Sequence, residues 1–360
     1  MELFSASVKI HSGKGSLSFL KTLGAQRVFL VTDPYFAKNG TAEKLLKETG
    51  AEHTRIFDRV TPDPTVELAA EGTADFQAFE PDLLVALGGG SSMDCAKAIY
   101  CFSKSRIHFA AIPTTSGSGS EVTDFAILTH DGIKHPLVDP SIRPGFAILD
   151  PDLLEALPKS LIADAGFDVL SHALEAIAAR GAGTISNLFA KEAFRLAFQN
   201  LPASFHGDLR ARLPVHEAAT LAGLAFNQAG LGLCHSLSHS LGGLFHVPHG
   251  RLNAILMPAV VEANAGVAGH AYAELARYAG LGGTADTVAL RNLKNGLIRL
   301  RKQLNLPDTL VKAGAASKDV RAHMGKILES VLKDPCSDSN PTAVTEALVK
   351  KVLGEVMGSE

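Results

Sequence analysis

Leu83-Leu84-Val85-Ala86-Leu87-Gly88-Gly89-Gly90-Ser91-Ser92-Met93-Asp94 joins an unbroken apolar run to three glycines and two serines, and then opens a helical pattern over residues 93–102. Five apolar residues without alternation, closed by glycine, read as a strand buried on both faces, as in a parallel sheet covered by helices. Glycines let a backbone approach a ligand closely, and the helix start behind them offers unpaired N–H groups and partial positive charge to a pyrophosphate. The stretch matches neither GxGxxG nor a Walker A loop. A tight strand–helix turn is the plainer reading, and the stretch alone does not decide between the two.

Working outward, residues 28–32 and 109–112 repeat the apolar run, with helical patterns at 42–50 and 66–79. Strand, helix, strand repetition predicts a Rossmann-like parallel sheet. The third strand leads into Pro113-Thr114-Thr115-Ser116-Gly117-Ser118-Gly119-Ser120-Glu121, a second loop of hydroxyls and glycines. Two such loops at adjacent strand ends would flank the crevice where open α/β sheets bind nucleotides. Asp33, at the end of the first strand, is either a turn residue or an acceptor for an adenosine ribose. In the second role it would repel a 2′-phosphate and favour NAD over NADP. Beyond Leu153 strand candidates nearly vanish, and helical periodicity appears at 162–179, 184–199, 213–228, 252–263 and 290–304. The expectation is an α/β domain over 1–156 followed by an all-helical domain over 157–360.

The 360 residues are 46% hydrophobic and 20% charged, which fits a globular chain large enough for two cores. A net charge of −3 with no basic block argues against a nucleic-acid partner. No window holds the roughly 18 uninterrupted apolar residues of a membrane helix. The N-terminal MELFSASVKIHSGKGSL lacks the apolar core of a secretory signal. Four scattered cysteines without a CxxC pair fit a reducing cytoplasm better than a disulfide framework.

Chemistry concentrates in the helical half. His235, His239, His246 and His249 fall within 15 residues, where even spacing of the 14 histidines would put about 0.6. Upstream, Asp168 and His172 stand at i and i+4, one turn apart on a helix face. Alone, that pair is more often a packed carboxylate–histidine hydrogen bond than half of a metal site. His235 and His249, 14 residues apart, would be separated by about 21 Å on one unbroken helix. Gly242-Gly243 and Pro248 are expected to break it and return His249. One carboxylate and three imidazoles suit a divalent transition metal. Four protein ligands plus a bound alcohol exceed the tetrahedral habit of zinc, which favours Fe²⁺ over Zn²⁺. Cys234 and His246 are read as structural.

With these residues in place the chain resembles the iron-containing alcohol dehydrogenases. The motifs run in order: Thr61-Pro62-Asp63-Pro64-Thr65, Gly88-Gly89-Gly90-Ser91 with Asp94 and Lys97, Pro113-Thr114-Thr115, and Gly119-Ser120-Glu121. They continue with Asp150-Pro151, Asp168 with His172-Ala173-Leu174-Glu175-Ala176, His235, Pro248-His249-Gly250 and Asn340-Pro341. The short span from Lys97 to Pro113, with Gly13-Lys14, is most similar to the branch of propanol dehydrogenases from bacterial microcompartments. The resemblance implies a dehydroquinate synthase-like architecture and usually a homodimer. It makes Asp168, His172, His235 and His249 the metal ligands. It assigns NAD contacts to Asp33, Gly89, Gly90, Ser91, Asp94, Thr114, Thr115, Ser118, Thr123, Ile127 and Lys134, and puts His239 beside the nicotinamide. Ser116, Ser118 and Ser171 depart from the usual Ala, Thr and Thr.

The implied reaction is hydride exchange between nicotinamide C4 and a small primary alcohol or aldehyde, such as propanol or propionaldehyde, whose oxygen the metal polarises. His239 would relay the proton or support the site. The alternatives are a glycerol or diol dehydrogenase, or a cyclase or lyase of the dehydroquinate synthase type. The latter handles a polyanion, yet residues 232–258 carry no Lys and one Arg. The expected location is the cytoplasm, with a microcompartment by analogy alone.

Overall fold

The computed structural model describes residues 4–131 and 133–358, so the first three residues of the N-terminal stretch lie outside it. The chain divides into two compact units, one over Ser5–Leu157 and one from Pro158 onward that also takes in Phe4, whose ring stacks 5.3 Å from Phe189.

The first unit is built on eight strands: β1 (Lys9–Ser12), β2 (Arg27–Val31), β3 (His53–Phe57), β4 (Leu83–Gly88), β5 (His108–Pro113), β6 (Phe125–His130), β7 (Ile133–Val138) and β8 (Phe146–Leu149). Its helices are α1 (Pro34–Lys38), α2 (Thr41–Thr49), α3 (Val66–Phe79) and α4 (Gly90–Ser103). Six strands form an all-parallel sheet in the order β1-β8-β5-β4-β2-β3, and β6 and β7 make a separate antiparallel hairpin.

The apolar runs are continuous because both sheet faces are covered. On one face Phe29, Val31, Leu84, Ala86 and Phe109 pack with Phe76, Met93 and Ile99 of α3 and α4. On the other, Val28, Leu30, Val85, Leu87 and Ile112 pack with Leu20 and with Leu45 and Leu46 of α2. The chain leaves β2 for β3 on one side and returns to β4 on the other. The order therefore reverses between β2 and β4, where open α/β sheets bind their ligands at the carboxyl ends.

The second unit contains ten α-helices among the described residues: α5 (Lys159–Ala178), α6 (Thr184–His206), α7 (Arg212–Ala229), α8 (Leu233–Phe245), α9 (His249–Tyr278), α10 (Asp286–Gln303), α11 (Ser317–Ala322), α12 (Met324–Lys333), α13 (Pro335–Ser339) and α14 (Glu346–Val356). No strand follows β8 among the described residues. Helix α5 packs against α6, α7 and α9, which accounts for its wholly buried second half.

The expected break between His235 and His249 exists, but the glycines do not make it. Gly242 and Gly243 continue α8. The helix ends at His246, which adopts a left-handed φ of 55°, and Pro248 then caps α9. Helix α9 is longer at both ends than the 252–263 read from periodicity, and Pro258 is accommodated inside it as that reading implied. It is long and apolar enough to span a membrane, yet two-thirds of its most apolar stretch is buried, as befits a core helix.

Candidate metal centre

Asp168 and His172 lie one turn apart on α5 and face the starts of two other helices. The Asp168 Oδ1 atom is 3.7 Å from His172 Nε2, 3.6 Å from His235 Nε2 on α8 and 3.3 Å from His249 Nε2, the first residue of α9. The donor atoms of Asp168, His172 and His235 lie within 4.8 Å of one another. His172 and His235 are buried, and their rings stack at 4.6 Å. The His235 Nε2 atom is buried without a hydrogen-bond partner among the described residues, an expensive state unless something else occupies its lone pair.

Donors about 2.1 Å from a tetrahedral cation would stand about 3.4 Å apart, so these spacings fit a shared ion. Electrostatics agree. Burial opposes ionisation of Asp168, but His172, His249 and His235 outweigh it and hold the carboxyl well below the usual range. Burial likewise lowers the His235 imidazole, but the neighbouring Asp168 and Glu175 carboxylates push it up to about 9, a negative field that equally favours a cation.

The local frame explains why these side chains converge. Arg251 grips both Asp164 oxygens, at 3.2 and 2.9 Å, and pins the start of α9 to α5. Gly250 makes that approach possible: a Cβ there would lie 1.9 Å from the Asp164 carbonyl oxygen. Phe226 of α7 packs its ring 4.4 Å from that of His172.

Three residues that sequence reasoning did not single out as part of the site belong to it. Asn253 donates from Nδ2 to Asp168 Oδ1 at 2.9 Å and lies 3.2 Å from His249 Nε2. Glu175 contacts His235 Nδ1 at 2.6 Å, and Asp334 contacts His239 Nδ1 at 2.8 Å. Glu175 was visible only as one letter of a motif. The other two partners come from distant segments and carry no spacing signal.

His239 is one-third exposed and stacks 5.4 Å from the His249 ring. With Asp334 and Cys336 it forms a second set of close donors, but Asp334 already accepts from His239 and caps α13 through the Cys336 N–H at 2.8 Å. Cys234 is buried 3.5 Å from Asn253 Oδ1, and all four cysteines are free thiols.

In the first unit the residues read as dinucleotide contacts gather at neighbouring strand ends. Gly88 ends β4 with φ 148°, a conformation that favours glycine, and a Cβ there would strike Ser92. Gly89 caps α4, where Gly90 and Ser91 supply the first turn. The second loop lies against them, with Thr115 and Ser118 within 3.5 Å of where Cβ atoms would sit on Gly89 and Gly90. Thr114 is tied back to Gly88 by a 2.9 Å backbone hydrogen bond. Asp33 lies past β2, where Oδ1 caps α1 by accepting from Tyr35 and Phe36.

Asp94 and Thr123 lie within a buried network around Lys97. Its ammonium donates to Ser120, Thr123 and the Phe125 carbonyl at 2.8–2.9 Å, and Ser120 donates to Asp94 at 3.1 Å. Burial pushes the Asp94 carboxyl up to about 6 against the pull of Lys97, and lowers Lys97 to about 8. Ile127 and Lys134 stand on the hairpin, where Lys134 pairs with Asp63 at 2.7 Å.

A parallel-sheet unit with a glycine loop at its switch point, in one chain with a carboxylate–imidazole cluster on helices, defines a metal-dependent, dinucleotide-linked oxidoreductase. Residues 7–151 match the family described as iron-containing alcohol dehydrogenase, and residues 162–357 match that family's C-terminal domain. The chain belongs to the iron-containing alcohol dehydrogenase family. It is 38% identical to a 1-propanol dehydrogenase of Salmonella typhimurium, over 99% of this chain and all of that one. It is 35% identical to an NADPH-dependent butanol dehydrogenase of Clostridium saccharobutylicum, over 98% and 97% of the two chains. Among solved structures it superposes on an iron-containing alcohol dehydrogenase from Thermococcus thioreducens with a TM-score of 0.90 and 32% identity, covering 98% and 99%.

Membership makes the chain an alcohol dehydrogenase and aldehyde reductase that works with NAD(H) and a divalent metal. The cyclase alternative is not favoured.

Proposed function

We propose that Asp168, His172, His235 and His249 hold the divalent metal, Fe²⁺ in preference to Zn²⁺, and that the enzyme interconverts short primary alcohols and their aldehydes. The carrying observation is the single Asp168 oxygen faced by three imidazole nitrogens from three helices at 3.3–3.7 Å. When bound, the metal supplies Lewis acidity to the substrate oxygen while the dinucleotide gives or takes the hydride. Asn253 holds the Asp168 carboxylate in place from α9. His239, with Nδ1 fixed by Asp334, keeps its other nitrogen for a proton passing between substrate and solvent.

Gly89, Gly90, Ser91, Thr114, Thr115 and Ser118 receive the pyrophosphate side of the dinucleotide, and Asp33 its adenosine ribose. Asp94, Thr123, Ile127 and Lys134 complete that surface from the buried Lys97 network and the hairpin. The names of the full-length relatives, a 1-propanol and a butanol dehydrogenase, support a substrate of three or four carbons. The same reading takes the enzyme to be a homodimer in the cytoplasm.

A screen of C2–C4 aldehydes with NADH and with NADPH, after Fe²⁺ loading, tests this. Net NADH oxidation, fastest near propionaldehyde and slower with NADPH because Asp33 repels the 2′-phosphate, is the expected result. No turnover with any aldehyde, or strict NADPH use, would contradict it. His239→Ala should lower kcat by about 10²-fold or more, the usual contribution of a proton-transfer group, with metal content unchanged. Metal loss alongside activity would assign His239 to structure.

A further inference from the structure

The helix that carries His235 begins with four backbone N–H groups that have no partner within the helix, and it begins in the protein interior. Two side chains from elsewhere in the chain take all four. Glu175 accepts from Gly232 at 3.0 Å, Cys234 at 2.6 Å and His235 at 3.3 Å. Asn340 accepts from Leu233 at 3.1 Å. Glu175 sits on α5 two turns beyond Asp168 and is 3% exposed. One of its oxygens makes a further bond that capping does not require: Oε2 lies 2.6 Å from His235 Nδ1.

An ionised carboxylate only accepts hydrogen bonds, so a neutral His235 beside it carries its proton on Nδ1 and leaves Nε2 with a bare lone pair. That nitrogen is the one facing Asp168 Oδ1 without a hydrogen-bond partner among the described residues.

We propose that Glu175 is a positioning residue of the metal centre, whose buried carboxylate fixes His235 in the tautomer and orientation that present Nε2 to the ion. This rests on the reading that Asp168, His172, His235 and His249 hold that ion. Asn340 caps the same helix without touching the imidazole, so the two residues separate positioning from capping.

Glu175→Gln keeps the shape but turns an N–H donor toward Nδ1 or toward the backbone donors. Asn340→Ala removes a cap bond and leaves the His235 contact intact. Metal-free protein is titrated with Zn²⁺ against a competing chelator, and with Co²⁺ followed by its visible spectrum. Glu175→Gln is expected to weaken Zn²⁺ binding about 10- to 100-fold and to alter the Co²⁺ spectrum. Asn340→Ala is expected to lower the thermal midpoint of the metal-free protein while binding Zn²⁺ as the wild type does.

Unchanged affinity in Glu175→Gln, or an equal loss in Asn340→Ala, overturns the proposal. Should Glu175→Gln fail to fold, the Zn²⁺-loaded wild type decides. His235 Nδ1–H is expected to give a downfield, slowly exchanging proton resonance, and its absence overturns the proposal. His235→Ala guards the underlying reading. Wild-type Zn²⁺ affinity in that variant would mean the ion is held elsewhere, whereas a loss there with Glu175→Gln unaffected would sink the positioning role alone.

Discussion

Asp168→Asn is expected to remove the bound metal and to lower kcat/KM by more than about 10²-fold, since losing only an outer hydrogen-bond partner of a ligand already costs 10- to 100-fold. The substitution changes almost no volume, so packing around α5 should survive. It changes charge at the one atom that three imidazoles and the Asn253 amide all address. A neutral amide oxygen is a weak ligand, and the amide's other face is a donor that would meet imidazole nitrogens or Asn253 instead of a cation. Metal analysis and steady-state kinetics on the same sample check it. A variant that retains stoichiometric metal and near wild-type turnover would show that this carboxylate is not a ligand.

Gly250→Ala should be the most damaging single methyl in the helical unit. The added Cβ would sit 1.9 Å from a backbone oxygen, Asp164 O, which cannot rotate aside as a side chain could. Helices α5 and α9 must separate, the Arg251–Asp164 pair must stretch, and His249, one residue away, must leave its place opposite Asp168. Overpacking of this kind costs about 3 kcal/mol or more. In a unit of this size, 3 kcal/mol corresponds to a fall of about 6–12 °C in Tm. Metal affinity should fall with it. Gly243→Ala on α8 is the control, because nothing lies within 4 Å of its Cβ position and it sits inside a helix. There alanine should be neutral or raise stability by up to about 1 kcal/mol. Thermal unfolding of the two variants, with and without chelator, checks both signs.

How much of this the sequence disclosed follows from where each residue is buried. Strands β2, β4 and β5 were legible because they are central in the sheet and apolar on both faces. The edge strand β3, His53-Thr54-Arg55-Ile56-Phe57, exposes three of its five residues and shows no apolar run, and β1 at the other edge is as polar. Strand β8 is inside the sheet but only four residues long, and the β6–β7 hairpin is half solvated. Neither stood out from loop sequence.

The candidate ligands were legible for a different reason. Imidazoles crowded into a short span, together with an acid one turn from a histidine, are compositional signals that survive without coordinates. Glu175, Asn253 and Asp334 gave no such signal. Glu175 acts on residues 57–60 positions away, Asn253 reaches back 85 to Asp168, and Asp334 meets His239 across 95. Only the packing of α5, α8, α9 and α13 makes them neighbours. Sequence reading therefore recovered the atoms proposed to touch the metal and missed most of those that orient them.

The central claim is that one carboxylate and three imidazoles share a single cation. Anomalous diffraction at the iron edge from crystals of Fe²⁺-loaded protein tests it most directly. The account predicts one peak per chain, about 2.0–2.2 Å from Asp168 Oδ1 and from the Nε2 atoms of His172, His235 and His249. A peak seated instead among His239, Asp334 and Cys336, or no peak near Asp168 in metal-replete protein, would contradict it.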